Sequence, residues 1–153
     1  SIQPTHATSD MYWAQERLGP ERIKGAYSYQ TLLKNAGIVA LGTDFPVEDV
    51  NPMHTFYAAV ARKDLNQYPD NGFRSQEALT RTQALKGMTI WAAYANFEDT
   101  VKGSIEMGKF ADFTVLEEDI MKIPQDSIPG VKALATFIDG VKVYELKSDT
   151  KRP

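Results

Sequence analysis

Four consecutive apolar residues, Ile38-Val39-Ala40-Leu41, stand between Gly37 and Gly42. A run this short, bounded by glycines and rich in β-branched residues, predicts a strand buried on both faces. Such a strand needs a covering layer on each side, which directs the chain toward an α/β fold. Ahead of it, Ala26, Tyr29, Leu33 and Ala36 recur at helical spacing after the punctuation Gly19-Pro20. Gly37 sits where a helix C-terminal cap belongs. Ser1 to Thr5 reads as another strand, and Asp10 to Leu18 as a loop with a short helix of its own. Strand, helix, strand is a βαβ unit with a parallel pair.

Further on, Asn51-Pro52 predicts a helix start, and Met53, Phe56, Tyr57 and Val60 give it an apolar stripe. Pro69-Asp70-Asn71-Gly72 marks a loop. Thr80-Arg81-Thr82-Gln83 matches a capping box, opening a helix expected to run to about Phe97 with Ala84, Met88, Trp91 and Ala95 on one face. After Gly103 the period changes. Ala111, Phe113 and Val115 alternate as in a strand. Ile123 to Gly130 reads as a loop, and Asp139-Gly140 between two apolar runs predicts a hairpin. The expected organisation is an α/β part over residues 1–100, a small antiparallel β part over 101–146 and a polar tail over 147–153.

Composition narrows the functional classes. With 17 Lys+Arg against 20 Asp+Glu, there is no basic footprint for nucleic acid. No apolar run reaches the roughly 18 residues of a spanning helix, so no membrane partner is expected. No signal peptide is visible, and the cytoplasm is the default expectation. Cysteine is absent, which excludes thiolate metal sites and a Cys nucleophile. The two histidines, His6 and His54, are far apart and form no H-x-H or H-E-x-x-H pair. The opening Ser1-Ile2-Gln3-Pro4, without Met or lead-in, reads as cut from something longer.

Asp44 is the first candidate for chemistry. It comes just after the buried run, at the edge where α/β folds gather ligands and catalytic groups. A carboxylate there can bind a metal or act as a general base. Asp is also a common turn residue after strands, so position alone leaves both readings open. His6 ends the other expected strand and would face the same rim. It also fits an ordinary surface loop. Glu48 and Asp49 add carboxylates that fit either acid–base work or a solvated face. His54 reads as an exposed or packed helix residue, and Trp91, Tyr94 and Phe97 read as core aromatics.

Several stretches together resemble one family. Gln3-Pro4-Thr5-His6-Ala7-Thr8-Ser9-Asp10-Met11 is similar to the seventh-strand segment of family-3, YtcJ-like metal-dependent amidohydrolases. Arg17-Leu18-Gly19-Pro20-Glu21-Arg22 resembles the loop after that segment. Ala40-Leu41-Gly42-Thr43-Asp44-Phe45-Pro46-Val47-Glu48 resembles the eighth-strand motif, with Thr43 where Ser is usual. Thr82-Gln83-Ala84-Leu85 through Trp91-Ala92-Ala93-Tyr94 resembles the late helix. Gly103-Ser104-Ile105-Glu106-Met107-Gly108-Lys109-Phe110-Ala111-Asp112-Phe113 resembles the signature G-S-[IL]-x-x-G-K-x-A-D-[FL], with Met107 where Pro is commoner.

The resemblance implies the C-terminal part of a (β/α)8 TIM barrel, about its last two βα units, plus part of a small antiparallel β-sandwich. It implies hydrolysis of amide or other C–N bonds by metal-activated water, with a divalent metal, zinc by family habit. Asp44 takes the place of the metal-associated Asp that acts as general base and acid. His6 and Asp10 take substrate-binding places. A full barrel needs about 250 residues, so the 153-residue chain alone is expected to be inactive. Its partners would be a small-molecule substrate and the missing N-terminal part of the barrel, or a second copy. Self-association is expected through Met53, Phe56, Tyr57, Val60 and Ile38–Leu41, left bare. Two other readings remain at this point. One is a non-catalytic interaction or structural module on the same fold pieces. The other is a small metal-free enzyme using His6, Asp44 and Asp10.

Overall fold

The computed structural model describes residues 1–147. Of the polar tail expected over 147–153, residues 148–153 lie outside the described residues. The chain begins in extended form and enters helix α1, Pro4–Arg22, almost at once. This corrects the strand expected over Ser1–Thr5. Pro4 has no N–H for a ladder, and its fixed φ suits the first helical turn, so the chain turns helical there. The loop expected over Asp10–Leu18 is helical too. Gly19-Pro20 is a kink inside the helix, with Gly19 at φ 75° and ψ 171°.

A 3₁₀ turn, Ile23–Gly25, leads to α2, Tyr29–Ala36. Gly37 at φ 80° closes α2, its N–H bonding the Leu33 carbonyl at 2.8 Å. The parallel pair is present, reduced to one bridge between Ile2 and Leu41. Ile2 N–H donates to the Ala40 carbonyl at 2.9 Å, and Gly42 N–H to the Ile2 carbonyl at 3.1 Å. On its other side Leu41 N–H donates to the Gly87 carbonyl at 2.9 Å. Val39, Ala40 and Leu41 are buried, as the apolar run requires.

Helix α3, Pro52–Ala61, is the centre of the core. Asn51 caps it, its side chain accepting the Met53 N–H at 3.0 Å. Met53, Phe56, Tyr57 and Val60 are all buried, as are Thr55, Ala58, Ala59 and Ala61. This overturns the expectation that this stripe and the run Ile38–Leu41 would stand bare: Ile38 is half-buried and the other residues are buried. The 3₁₀ turn Gln125–Gly130 folds back over α3, and Ile120, Ile128 and Val131 join Tyr29 and Leu33 in one core around it. Arg81 holds that return segment, donating to the Ile120 and Ile123 carbonyls at 2.7 and 2.6 Å. The bare apolar surface lies elsewhere. Phe97 (94%), Ile105 (88%) and Met107 (104%) are fully open.

Arg62 ends α3 in a left-handed conformation, φ 57°, and is completely buried. Its guanidinium donates to the Phe73 carbonyl at 2.9 Å and the Tyr27 carbonyl at 3.1 Å, and lies over the Tyr29 ring at 4.7 Å. Burial pulls its pKa down to about 10.

The capping box at Thr80 forms as the spacing predicts, with Gln83 N–H donating to Thr80 Oγ1 at 3.2 Å and Thr80 N–H to Gln83 Oε1 at 2.8 Å. The helix it opens is not continuous. It breaks at Thr89 (φ −124°, ψ −99°) into α4, Arg81–Met88, and α5, Ile90–Ala95. The Thr89 hydroxyl bonds back to the Leu85 carbonyl at 2.7 Å, an alternative partner that bends helices. As a result only Trp91 of the three late aromatics packs on the core; Tyr94 and Phe97 are exposed.

Strands β1, Phe113–Leu116, β2, Ala133–Ile138, and β3, Val141–Glu145, form an antiparallel sheet in that order. Phe113 faces Phe137, and their rings stack 4.5 Å apart. Asp139 and Gly140 turn between β2 and β3 with φ 50° and 75°, the two positive angles of a type I′ turn. Among the described residues no helix is long and apolar enough to cross a membrane.

Candidate active site

The Ile2–Leu41 bridge sets the geometry. Both segments run the same way, so the chain emerges from each of them at the same edge. Beyond Ile2 comes the first turn of α1, with His6. Beyond Leu41 comes the exit loop, with Asp44. His6 is therefore a helical residue rather than a strand end, and it still meets Asp44: His6 Nε2 lies 3.4 Å from Asp44 Oδ2. Asp44 adopts φ 60°, a left-handed conformation uncommon for non-glycine residues and tolerated best by Asp and Asn. The Phe45-Pro46 bond after it is cis. The Asp44 side chain is 48% exposed and so open to a ligand, whereas His6, 31% exposed, has its Nε2 atom buried.

Glu48 is the third member, a place sequence spacing marked only as part of an acidic cluster. Its Oε1 lies 4.0 Å from His6 Nε2 and accepts the Ser9 hydroxyl at 2.6 Å. That bond ties the exit loop to α1 across 39 positions of sequence, and no local signal revealed it. His6 Nε2 itself makes no hydrogen bond. It stands between two carboxylates with a free polar atom.

Asp10 lies one turn further along α1. Its Oδ2 accepts the Tyr27 hydroxyl at 2.8 Å. Burial and that carboxylate push the Tyr27 phenol well above its ordinary pKa. Asp49 and His54 form a separate pair beyond Glu48, with Asp49 Oδ2 3.6 Å from His54 Nδ1, and the His54 ring also meets the Asn51 amide at 3.2 Å. The structure thus brings His6, Asp44 and Glu48 together and leaves Asp10 and His54 to either side.

The donors present are oxygen and nitrogen, the types that suit Zn²⁺ or a similar cation. Among the described residues, however, no group of three or more His, Asp or Glu side chains is arranged to hold a metal ion. Asp44 is a single exposed carboxylate beside the buried His6 Nε2, and by themselves these do not make a metal centre.

Comparison with known proteins gives the family. A model of the amidohydrolase family matches residues 1–144. Protein LONG AFTER FAR-RED 3 of Arabidopsis thaliana is 36% identical over 145 residues, covering 94% of this chain and 24% of that protein. The putative amidohydrolase YtcJ of Bacillus subtilis (strain 168) is 33% identical over 144 residues, covering 94% of this chain and 27% of that protein. Among solved structures, an uncharacterized metal-dependent hydrolase from Pyrococcus horikoshii OT3 superposes with a TM-score of 0.68 at 28% identity, over 81% of this chain and 25% of that one. The chain spans about a quarter of the length of each of these relatives. With the family model covering nearly all of it, this chain belongs to the amidohydrolase family.

Proposed function

We propose that this chain forms the C-terminal part of a metal-dependent hydrolase cleaving amide or other C–N bonds, with Asp44 as the carboxylate that moves the proton. The observation that carries this reading is the approach of Asp44 to His6, 3.4 Å apart at the edge beyond the parallel bridge. The family and the solved hydrolase support the class of reaction. In this reading residues 1–100 supply about the last two βα units of a (β/α)8 barrel, and residues 101–146 part of a small β-sandwich. The remaining barrel strands come from the rest of the protein.

A divalent cation, of which zinc is one candidate, would be held on this chain by Asp44 and would activate the hydrolytic water. In hydrolysis the water oxygen bonds to the carbonyl carbon, the C–N bond breaks, and a proton passes from water to the amine. Asp44 accepts that proton and returns it to the leaving nitrogen, as general base and then general acid. His6 lines the substrate side, and its buried Nε2, 3.4 Å from Asp44 Oδ2, keeps the Asp44 carboxylate oriented. Asp10, held by Tyr27, lines the substrate side. A chain offering one corner of the metal centre is inactive by itself.

The test is Asp44→Asn in the complete hydrolase that carries this chain, assayed on a panel of N-acyl amides. The amide keeps the shape and removes the base. We expect kcat to fall by roughly 10²–10⁴-fold with the protein still folded. Unchanged turnover in Asp44→Asn would remove Asp44 from the reaction.

A further inference from the structure

The loop that carries Asp44 is held by very little. From Asp44 to Val50 every residue except Glu48 is exposed. Phe45, Val47 and Val50 all stand in solvent, so the loop has no apolar anchor. Asp44 nevertheless keeps φ 60°, a conformation that a non-glycine residue holds where its surroundings fix it. Within the loop, Val47 N–H donates to the Asp44 carbonyl at 2.8 Å and closes a turn over residues 44–47. At its exit, Asp49 meets only the start of α3, through Asn51 and His54.

Among the described residues, one hydrogen bond joins residues 44–50 to α1: Ser9 Oγ donates to Glu48 Oε1 at 2.6 Å. The Ser9 hydroxyl has a single proton. Its other acceptors, the Thr5 and His6 carbonyls, lie further off at 3.1 and 3.4 Å. The carboxylate is both the nearest and the charged acceptor, so it takes that proton. His6 Nε2, 3.4 Å from Asp44 Oδ2, makes no hydrogen bond that would hold the loop in its place.

We propose that Glu48, tied by Ser9, is a positioning residue for Asp44. Ser9 stands three residues after His6 on α1, so the bond sets the distance between the helix carrying His6 and the loop carrying Asp44. Fixing Glu48 fixes Val47 beside it, and Val47 closes the turn that begins at Asp44. A carboxylate that must take a proton and return it depends on such placement, since an error of about 1 Å can cost roughly 10²-fold in rate. The consequence for turnover rests on the hydrolase reading; the hold on the loop does not.

The experiment compares Ser9→Ala, Glu48→Ala, Glu48→Gln and Asp44→Asn in the complete hydrolase that carries this chain. Hydrogen–deuterium exchange, read by mass spectrometry in protein stripped of metal by a chelator, reports on the loop without turnover. We expect amides of residues 44–50 to exchange about three- to tenfold faster in Ser9→Ala and Glu48→Ala, as the loss of one hydrogen bond implies. We expect kcat to fall about tenfold in the same two variants. Glu48→Gln keeps an acceptor for the Ser9 hydroxyl and should recover most of both losses. Ser9→Ala added to Asp44→Asn should cost nothing further, because a tie acting through Asp44 has no base left to position. A role in stability alone would lower turnover by the same factor in either background. Unchanged loop exchange, unchanged kcat in Ser9→Ala, Glu48→Gln as impaired as Glu48→Ala, or a further loss in the double variant would each overturn the proposal. A fall in Asp44→Asn beside any of these would still keep the hydrolase reading. Faster loop exchange with unchanged turnover in Asp44→Asn would discard the role of Asp44 and with it the positioning, leaving only the hold on the loop.

Discussion

Gly87 shows how one missing side chain lets the site edge form. A Cβ placed there would lie 2.6 Å from Leu41 Cγ and 3.1 Å from the Val39 carbonyl oxygen. The helix α4 can therefore touch the buried run only through a glycine, and that contact carries the Leu41–Gly87 hydrogen bond. Gly87→Ala gains about 1 kcal/mol of helix propensity. The forced shift of a buried leucine and a backbone carbonyl costs roughly 1–3 kcal/mol. We expect the clash to win, lowering the urea midpoint, and an unchanged or raised midpoint would show that the edge yields. Glu77 is a second decisive residue. Burial alone would raise its carboxyl pKa. The Thr31 N–H and hydroxyl, both 2.9 Å away at the start of α2, together with Arg74 and Arg62, outweigh burial and hold it below the usual carboxylate range. A carboxyl depressed on folding contributes stability that is complete above its unfolded pKa, about 4.3. That contribution is lost as pH falls through the lower folded value. The wild type should lose stability more steeply than Glu77→Gln as pH drops below about 5, in urea titrations at successive pH values. Parallel curves would contradict this.

Helix starts and tight turns govern the elements. The Thr80 capping box satisfies two N–H groups that helix geometry leaves orphaned. Thr80→Ala should cost about 1 kcal/mol, and Thr80→Ser should restore most of it. An undiminished unfolding midpoint in Thr80→Ala would mean that α4 is held by packing alone. The box, the Asn51 cap, Gly37 and the Asp139-Gly140 turn are all legible in the sequence, because each is a local rule satisfied within four residues. The strand expected at Ser1–Thr5 is reduced to the Ile2 bridge because five residues carry no period that separates the two states, and Pro4 decides for helix. The late helix reads as continuous because its apolar period survives the break at Thr89, which arises from a hydroxyl competing for a backbone carbonyl. At the site, the approach of His6 to Asp44 is legible from the expectation of a parallel pair. The Ser9–Glu48 bond and the burial of Arg62 are not, since both depend on contacts between distant segments.

At the scale of the molecule, the core closes over α3 because the Gln125–Gly130 turn returns to it, with Ile128 completely buried. The segment between β1 and β2 thus joins the helices through Ile120, Ile128 and Val131, with Leu116 of β1 packed against the same core. The apolar surface that remains open is displaced to Phe97, Ile105 and Met107 and to the sheet. Among the described residues no three His, Asp or Glu side chains are arranged to hold a metal ion, and the chain spans about a quarter of each relative's length. The role proposed for Asp44 therefore requires further residues to complete the metal centre. The decisive experiment is to determine the intact mass and metal content of the protein isolated from its native source. We expect a species far heavier than 17.1 kDa, carrying a divalent metal that is weakened or lost in Asp44→Asn. A metal-free species of 17.1 kDa would refute that role for Asp44.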